Sequence, residues 1–173
     1  GAFVLKDMAD AQGIVKAAGK ARRAVVLGAG VLGLEVATGL AKRGVSVRIV
    51  HVADRLMERQ LGWEASAIAE ASLRRLGIES HIGASIAGVH THRGHVSAVR
   101  LEDHSEVLTD MLVMCCGTIP ETSLARKAGL TVERGIVVDD DLRTSRSNIF
   151  AIGDCAQPPE GGRGLVAQGW DQS

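Results

Sequence analysis

The stretch Gly28-Ala29-Gly30-Val31-Leu32-Gly33 constrains the fold of this chain most, because both of its flanks fit what a turn with glycines at this spacing needs. Ala24-Val25-Val26-Leu27 ahead of it is a short apolar, partly β-branched run, which reads as a buried parallel strand. Leu34 to Arg43 behind it carries helix-forming residues and stops at Gly44, and Val45 to Val50 follows as a second strand. The order predicts a βαβ unit from Ala24 to Val52 in a parallel sheet. Its turn gathers backbone N–H groups at the positive end of a helix dipole, which makes a seat for the pyrophosphate of a dinucleotide. Gly28 makes the tight turn, Gly30 lets phosphates approach the backbone, and Gly33 lets helix and strand pack closely. Val31 and Leu32 add their N–H groups to the same seat.

Ala24 to Ala41 carries only one charge, Glu35, and is about long enough to cross a bilayer. Four glycines, the carboxylate in mid-segment and a helical rhythm that begins only after Gly33 argue against a span. The chain opens on a mixed polar segment without the pattern of a secretory leader, so a cytoplasmic location is expected. Its 173 residues can bury one core plus part of another. Twenty basic and twenty acidic residues cancel, which leaves no electrostatic footprint for nucleic acid or an anionic membrane. Two Phe, two Trp and no Tyr give no platform for stacking bases, so the core must be aliphatic. Three cysteines without framework spacing fit a reducing compartment.

Lys6 to Ala18 reads as a helix, and Glu64 to Leu76 as a stronger one, with Ala65, Ile68, Ala69 and Leu73 at helical spacing and Gly77 as its stop. Ile78 to Ile82 is the next parallel strand. Ser85 to Val89, Val96 to Leu101 and Glu106 to Leu108 then alternate in short runs, separated by Arg93-Gly94 and Asp103-His104. They predict a three-stranded antiparallel meander. Met111 to Cys115 is a continuous apolar run that would bury Cys115 and its neighbour Cys116. Gly117-Thr118-Ile119-Pro120 marks a boundary between residues 1–117 and 118–173. Beyond it a helix (Ser123 to Ala128), two strands (Gly135 to Val138 and Ile149 to Ile152), a loop through Pro158 to Gly162 and the start of another helix are expected.

About 20 residues past the glycines, a dinucleotide-binding βαβ unit usually has an acid for the adenosine ribose hydroxyls. Here that position holds His51. A missing acid removes the repulsion that excludes a 2′-phosphate, and His51 and Arg55 could greet one, while His51 could also bond a ribose. NADH and NADPH therefore both remain open. His90, His92, His95 and His104 cluster around the meander, but no Cys or paired carboxylate completes a ligand set, so no metal site is expected. Cys155 has no resolving partner and reads as a packing residue. No residue is assigned a catalytic role.

Taken in order, the βαβ unit, the meander, the closing strand, Gly117-x-x-Pro120 and Thr144-Ser145…Asn148-Ile149-Phe150-Ala151-Ile152-Gly153-Asp154 resemble the FAD-dependent pyridine nucleotide-disulphide oxidoreductases. The resemblance spans essentially the whole chain. It implies an α/β fold: a Rossmann-like NAD(P)H-binding domain at 1–117, inserted in an FAD-binding domain of which 118–173 is the returning segment. It places Asp154 against the ribityl chain of the flavin and adds Gly117 and Gly153 to the cofactor-binding residues. It also puts Glu35 near the nicotinamide; taken alone, Glu35 reads as a first-turn carboxylate, favoured by the helix dipole by up to about 1 kcal/mol.

Within that family, Asp54-Arg55-Leu56-Met57-Glu58-Arg59-Gln60-Leu61 and Gly164-Leu165-Val166-Ala167-Gln168-Gly169 are similar to the large subunits of NAD(P)H nitrite reductases and to nitrate-assimilation electron-transfer flavoproteins. The implied reaction passes a hydride from NAD(P)H to FAD and electrons onward to a nitrite or nitrate reductase centre. Two other functions compete: a ferredoxin or rubredoxin reductase module, and a dinucleotide-binding domain without turnover, against which Asp154 argues. The FAD domain's first half and any Cys-x-x-Cys or Cys-x-x-x-x-Cys pair are missing from these residues. The chain thus reads as a piece, inactive alone, whose partners are an FAD-binding half and a downstream redox domain or protein. With its sheet gone, Ile149 to Ile152 would leave residues after about Pro120 mobile, paired with another copy or folded over the dinucleotide domain.

Overall fold

The computed structural model of the chain describes residues 1–117, 119–159 and 166–173, which form two compact units, Gly1–Gly117 and Thr118–Ser173. In the first unit, β1 (Ala2–Val4), α1 (Met8–Ala18), β2 (Arg23–Leu27), α2 (Val31–Ala41), β3 (Ser46–His51), α3 (Trp63–Arg75) and β4 (Glu79–Ile82) follow one another. Three further strands, β5 (Ile86–His92), β6 (His95–Leu101) and β7 (Glu106–Leu108), precede β8 (Met111–Met114). Five strands lie in one sheet in the order β1-β8-β2-β3-β4, every neighbour parallel, and β5-β6-β7 form a separate antiparallel sheet.

Strand alternation explains how three layers stack. Ala24 and Val26 of β2, Val47 and Ile49 of β3 and Met111 and Val113 of β8 share one buried cluster with Ile14, Ala37, Leu40 and Leu73 of the helices. Val25, Val50 and Leu112 on the opposite face pack with Val96, Val99, Leu101 and Val107 of the meander. With both faces covered, a dinucleotide can reach this sheet only at an edge, and the glycine-rich turn lies at the carboxyl ends of the strands. No helix among the described residues is long and apolar enough to cross a membrane.

Three expectations need correction. The opening segment holds β1, paired with β8, which three residues are too few to reveal by periodicity. Helix α2 begins at Val31 rather than Leu34, so Glu35 sits in its second turn, where the dipole no longer favours a carboxylate appreciably. Cys116 is exposed, with its Sγ 3.6 Å from the Leu27 carbonyl.

The second unit contains α4 (Ser123–Lys127), β9 (Ile136–Val137), a 3₁₀ turn at Gly153–Cys155, β10 (Ala156–Gln157) and α5 (Val166–Asp171). Its small core joins Val138, Ala151 and Ala156 with Ile136 and Leu142. Strand β9 pairs in parallel with β10. The strand expected at Ile149 to Ile152 is not formed: Phe150 makes one isolated antiparallel bridge to Arg143. Part of the loop expected at Pro158 to Gly162, and Gly164-Leu165 of the second signature, lie outside the described residues.

Candidate dinucleotide-binding site

Each glycine of the turn is held for a different reason. Gly28 has φ +102°, its N–H donates to the Val50 carbonyl at 2.8 Å, and a Cβ there would collide with the Cys115 carbonyl. A Cβ on Gly33 would overlap the Gly28 carbonyl oxygen. Gly30 is different: its φ is −74°, and a Cβ would meet nothing within 4 Å. The protein itself leaves that space open, as an approaching phosphate group requires. The first α2 hydrogen bond runs from the Leu34 N–H to the Gly30 carbonyl at 3.1 Å. The N–H groups of Val31, Leu32 and Gly33 therefore have no acceptor within the helix.

The residue between the glycines is clamped. The Ala29 N–H donates to Nδ1 of His51 at 3.2 Å, and its carbonyl accepts from the Met57 N–H at 3.0 Å. His51, the last residue of β3, is 7% exposed. Because Nδ1 accepts, the ring proton sits on Nε2, which donates to Oε2 of Glu58 at 3.0 Å. Burial pushes the Glu58 carboxyl upward, but the hydrogen bond from His51, a backbone hydrogen bond and the charge of Arg59 outweigh it. The result lies below the ordinary value of 4.5.

Arg55 braces the same loop. Its Nε donates to the Leu61 carbonyl at 3.2 Å, Nη2 to the Glu58 carbonyl at 3.1 Å and Nη1 to Oδ1 of Asp54 at 2.8 Å. The guanidinium lies 5.0 Å from the Trp63 ring centroid, within cation–π range. Met57 is held at φ +49°, an uncommon conformation for a side chain of its size. The loop from 54 to 61 is thus a buttress of the glycine-rich turn. The sequence does not single out Met57 or Glu58: both lie inside the 54–61 signature, but no spacing rule ties either to position 51.

The other candidate residues are spread more widely. Glu35 is exposed on α2, and Gly117 is exposed beyond β8 at the end of the first unit. In the second unit the Gly153 N–H donates to Oε1 of Gln172 at 2.8 Å, with Asp154 exposed beside it. Burial, with the Cys116 thiol beside it, pushes the Cys115 thiol up to about 11, and burial raises Cys116 as well. In the meander, His92 stands opposite His95, and Nε2 of His90 lies 3.3 Å from Oε1 of Glu106.

A βαβ unit carrying this cradle at the carboxyl edge of a covered parallel sheet defines a dinucleotide-binding α/β protein. Residues 1–172 match the pyridine nucleotide-disulphide oxidoreductase family, and the chain belongs to it. It is 38% identical over 156 residues to a rubredoxin-NAD(+) reductase of Ectopseudomonas oleovorans, covering 90% of this chain and 40% of that protein. It is 32% identical over 173 residues to a nitrite reductase [NAD(P)H] of Bacillus subtilis (strain 168), covering 100% of this chain and 21% of that one. Among solved structures, an FAD-dependent pyridine nucleotide-disulphide oxidoreductase from Desulfovibrio vulgaris superposes with a TM-score of 0.82 at 30% identity, over 99% of this chain and 46% of that one. The chain therefore spans less than half the length of each of these relatives. FAD and NAD(P)H are the cofactors of this group of proteins.

Proposed function

We propose that this chain is the NAD(P)H-binding portion of an FAD-dependent oxidoreductase serving nitrite or nitrate reduction, with residues 118–173 belonging to its FAD-binding domain. The observation that carries the dinucleotide reading is the open space at Gly30, set between two glycines that the backbone itself requires. Bound NAD(P)H would supply the hydride that FAD accepts. The chain's own task is to hold and orient. The N–H groups of Val31, Leu32 and Gly33 grip the pyrophosphate, Gly30 gives it room, and the loop from 54 to 61 fixes the turn's shape. By family resemblance, Glu35 is assigned to the nicotinamide end, Asp154 to the flavin, and Gly117 and Gly153 to cofactor binding.

The acceptor reading rests on similarity along the full chain to a nitrite reductase, together with the loop signature at 54–61. A second reading, a rubredoxin or ferredoxin reductase, is favoured by the 38% identity over 90% of the chain to the rubredoxin-NAD(+) reductase. Titrating NADH and NADPH into the chain by fluorescence tests the dinucleotide reading, which requires saturable binding that Gly30→Ala weakens. Comparing nitrite and rubredoxin as electron acceptors for the whole protein, with NAD(P)H oxidation as the readout, separates the two acceptors.

A further inference from the structure

Position 51 is where a βαβ unit of this kind presents a carboxylate to the adenosine ribose. Here the His51 imidazole turns inward, and both of its nitrogens are committed: Nδ1 to the Ala29 N–H and Nε2 to Glu58. Its 7% exposure leaves little surface for a ligand. The carboxylate missing from the strand end is present one imidazole further out, on Glu58, whose side chain is 30% exposed. Oε2 of Glu58 accepts the hydrogen bond from Nε2–H of His51, while Oε1 makes only a 3.9 Å approach to Nε of Arg59.

We propose that Glu58, positioned by His51, is the group that reads the adenosine ribose, and that it makes this seat select NADH over NADPH. The inference rests on the dinucleotide reading above. An ionised carboxylate with an uncommitted oxygen accepts hydrogen bonds from ribose hydroxyls and repels a 2′-phosphate. Two arginines lie nearby, one already engaged and one held only by a loose 3.9 Å approach. Arg55 donates to Asp54, Leu61 and Glu58 and stacks on Trp63. Arg59 is itself the neighbour of the same carboxylate. His51 is a positioning residue: it transmits the geometry of the glycine-rich turn to Glu58 and does not bond the ligand.

The test compares affinities for NADH, NADPH, ADP-ribose and 2′-phospho-ADP-ribose in the full chain. Glu58→Gln keeps an acceptor for His51 and removes only the charge. The unmodified chain is expected to prefer NADH, and Glu58→Gln to narrow that preference by about tenfold, the scale of one charge pair at a partly solvated site. ADP-ribose and its 2′-phosphate should show the same change, which places it at the adenosine end. Adding His51→Glu to Glu58→Gln, which returns an acid to the strand end, is expected to restore the preference at an unchanged melting temperature. His51→Leu should relax selectivity as Glu58→Gln does, whereas His51→Gln, which keeps an acceptor and a donor, should retain it. If dinucleotides bind and the ratio ignores Glu58, or NADPH is preferred from the start, this inference is overturned while the dinucleotide reading stands. If neither dinucleotide binds the unmodified chain, both fall together.

Discussion

Gly33 lies so close to Gly28 that a Cβ on the first would overlap the carbonyl oxygen of the second. That approach lets helix α2 start directly out of the turn that ends β2, so the free N–H groups face the edge of the sheet. Gly33→Ala must push backbone against backbone, and a loss of about 2 kcal/mol in stability is expected, as for other overpacked sites. Gly30→Ala meets open space at an ordinary φ and should leave stability within about 0.5 kcal/mol. Its effect should fall on nucleotide affinity instead. Thermal melts paired with NADH titrations separate the two variants, and a Gly30→Ala protein that melts early but binds normally would contradict this division.

Asp110 ties the entry of β2 to the entry of β8. Oδ2 accepts the Arg22 N–H at 3.1 Å and the Arg23 N–H at 3.0 Å, with the Arg23 guanidinium near Oδ1. Burial pushes its carboxyl up, but these donors more than offset that and hold it below the ordinary 3.8. A lowered folded-state value means the stabilisation is fully present above the unfolded value and is lost as pH falls through the folded one. Asp110→Asn should cost about 1 kcal/mol at neutral pH, a figure already reduced for solvent screening of a partly exposed group. The gap between the two proteins should close on acidification below 3.8. Denaturant titrations at pH 7 and pH 3 check both the size and the sign.

Cys115 should be nearly inert in the folded chain. With its thiol pushed up to about 11, about one molecule in a thousand carries the thiolate at pH 8. Alkylation there should be slower than for an unperturbed cysteine by about two orders of magnitude and should become ordinary after unfolding. Mass mapping of iodoacetamide-labelled peptides before and after denaturation measures this. Rapid native labelling would count against the packing described for the end of β8.

In the second unit, Thr144 is a buried hydroxyl that closes the segment from 144 to 149. Its Oγ1 lies 2.9 Å from the Ile149 carbonyl and accepts the Arg146 N–H at 3.2 Å. Thr144→Val preserves shape but leaves these groups without their partner, so a loss of about 1–2 kcal/mol is expected. Thr144→Ser should retain most of the stability. Melting curves for the two variants should differ clearly, and equal curves would remove the hydroxyl's role.

The βαβ unit and the meander were legible because buried strands and alternating strands leave different apolar patterns, and residues 24–50 and 85–108 carry both. The start of α2 was not, because Gly30 and Gly33 read as helix breakers. In the structure Gly30 caps the helix and Gly33 belongs to its first turn. Ile149 to Ile152 has the composition of a buried strand, yet composition cannot supply a pairing partner, and one bridge is all that forms. The partnership of His51 with Glu58 lay beyond reach for another reason. It crosses an aperiodic loop turned by the left-handed backbone of Met57, where no repeat relates one side chain to the next.

The clamp on Ala29 bears on speed as well as shape. Its N–H is held by a ring nitrogen and its carbonyl by the Met57 amide before any ligand arrives, so encounter need not wait for a loop to fold. Preorganisation of this kind removes the conformational step that slows many associations. Capture at this seat should therefore follow solvent viscosity, with a single kinetic phase whose rate rises linearly with ligand concentration.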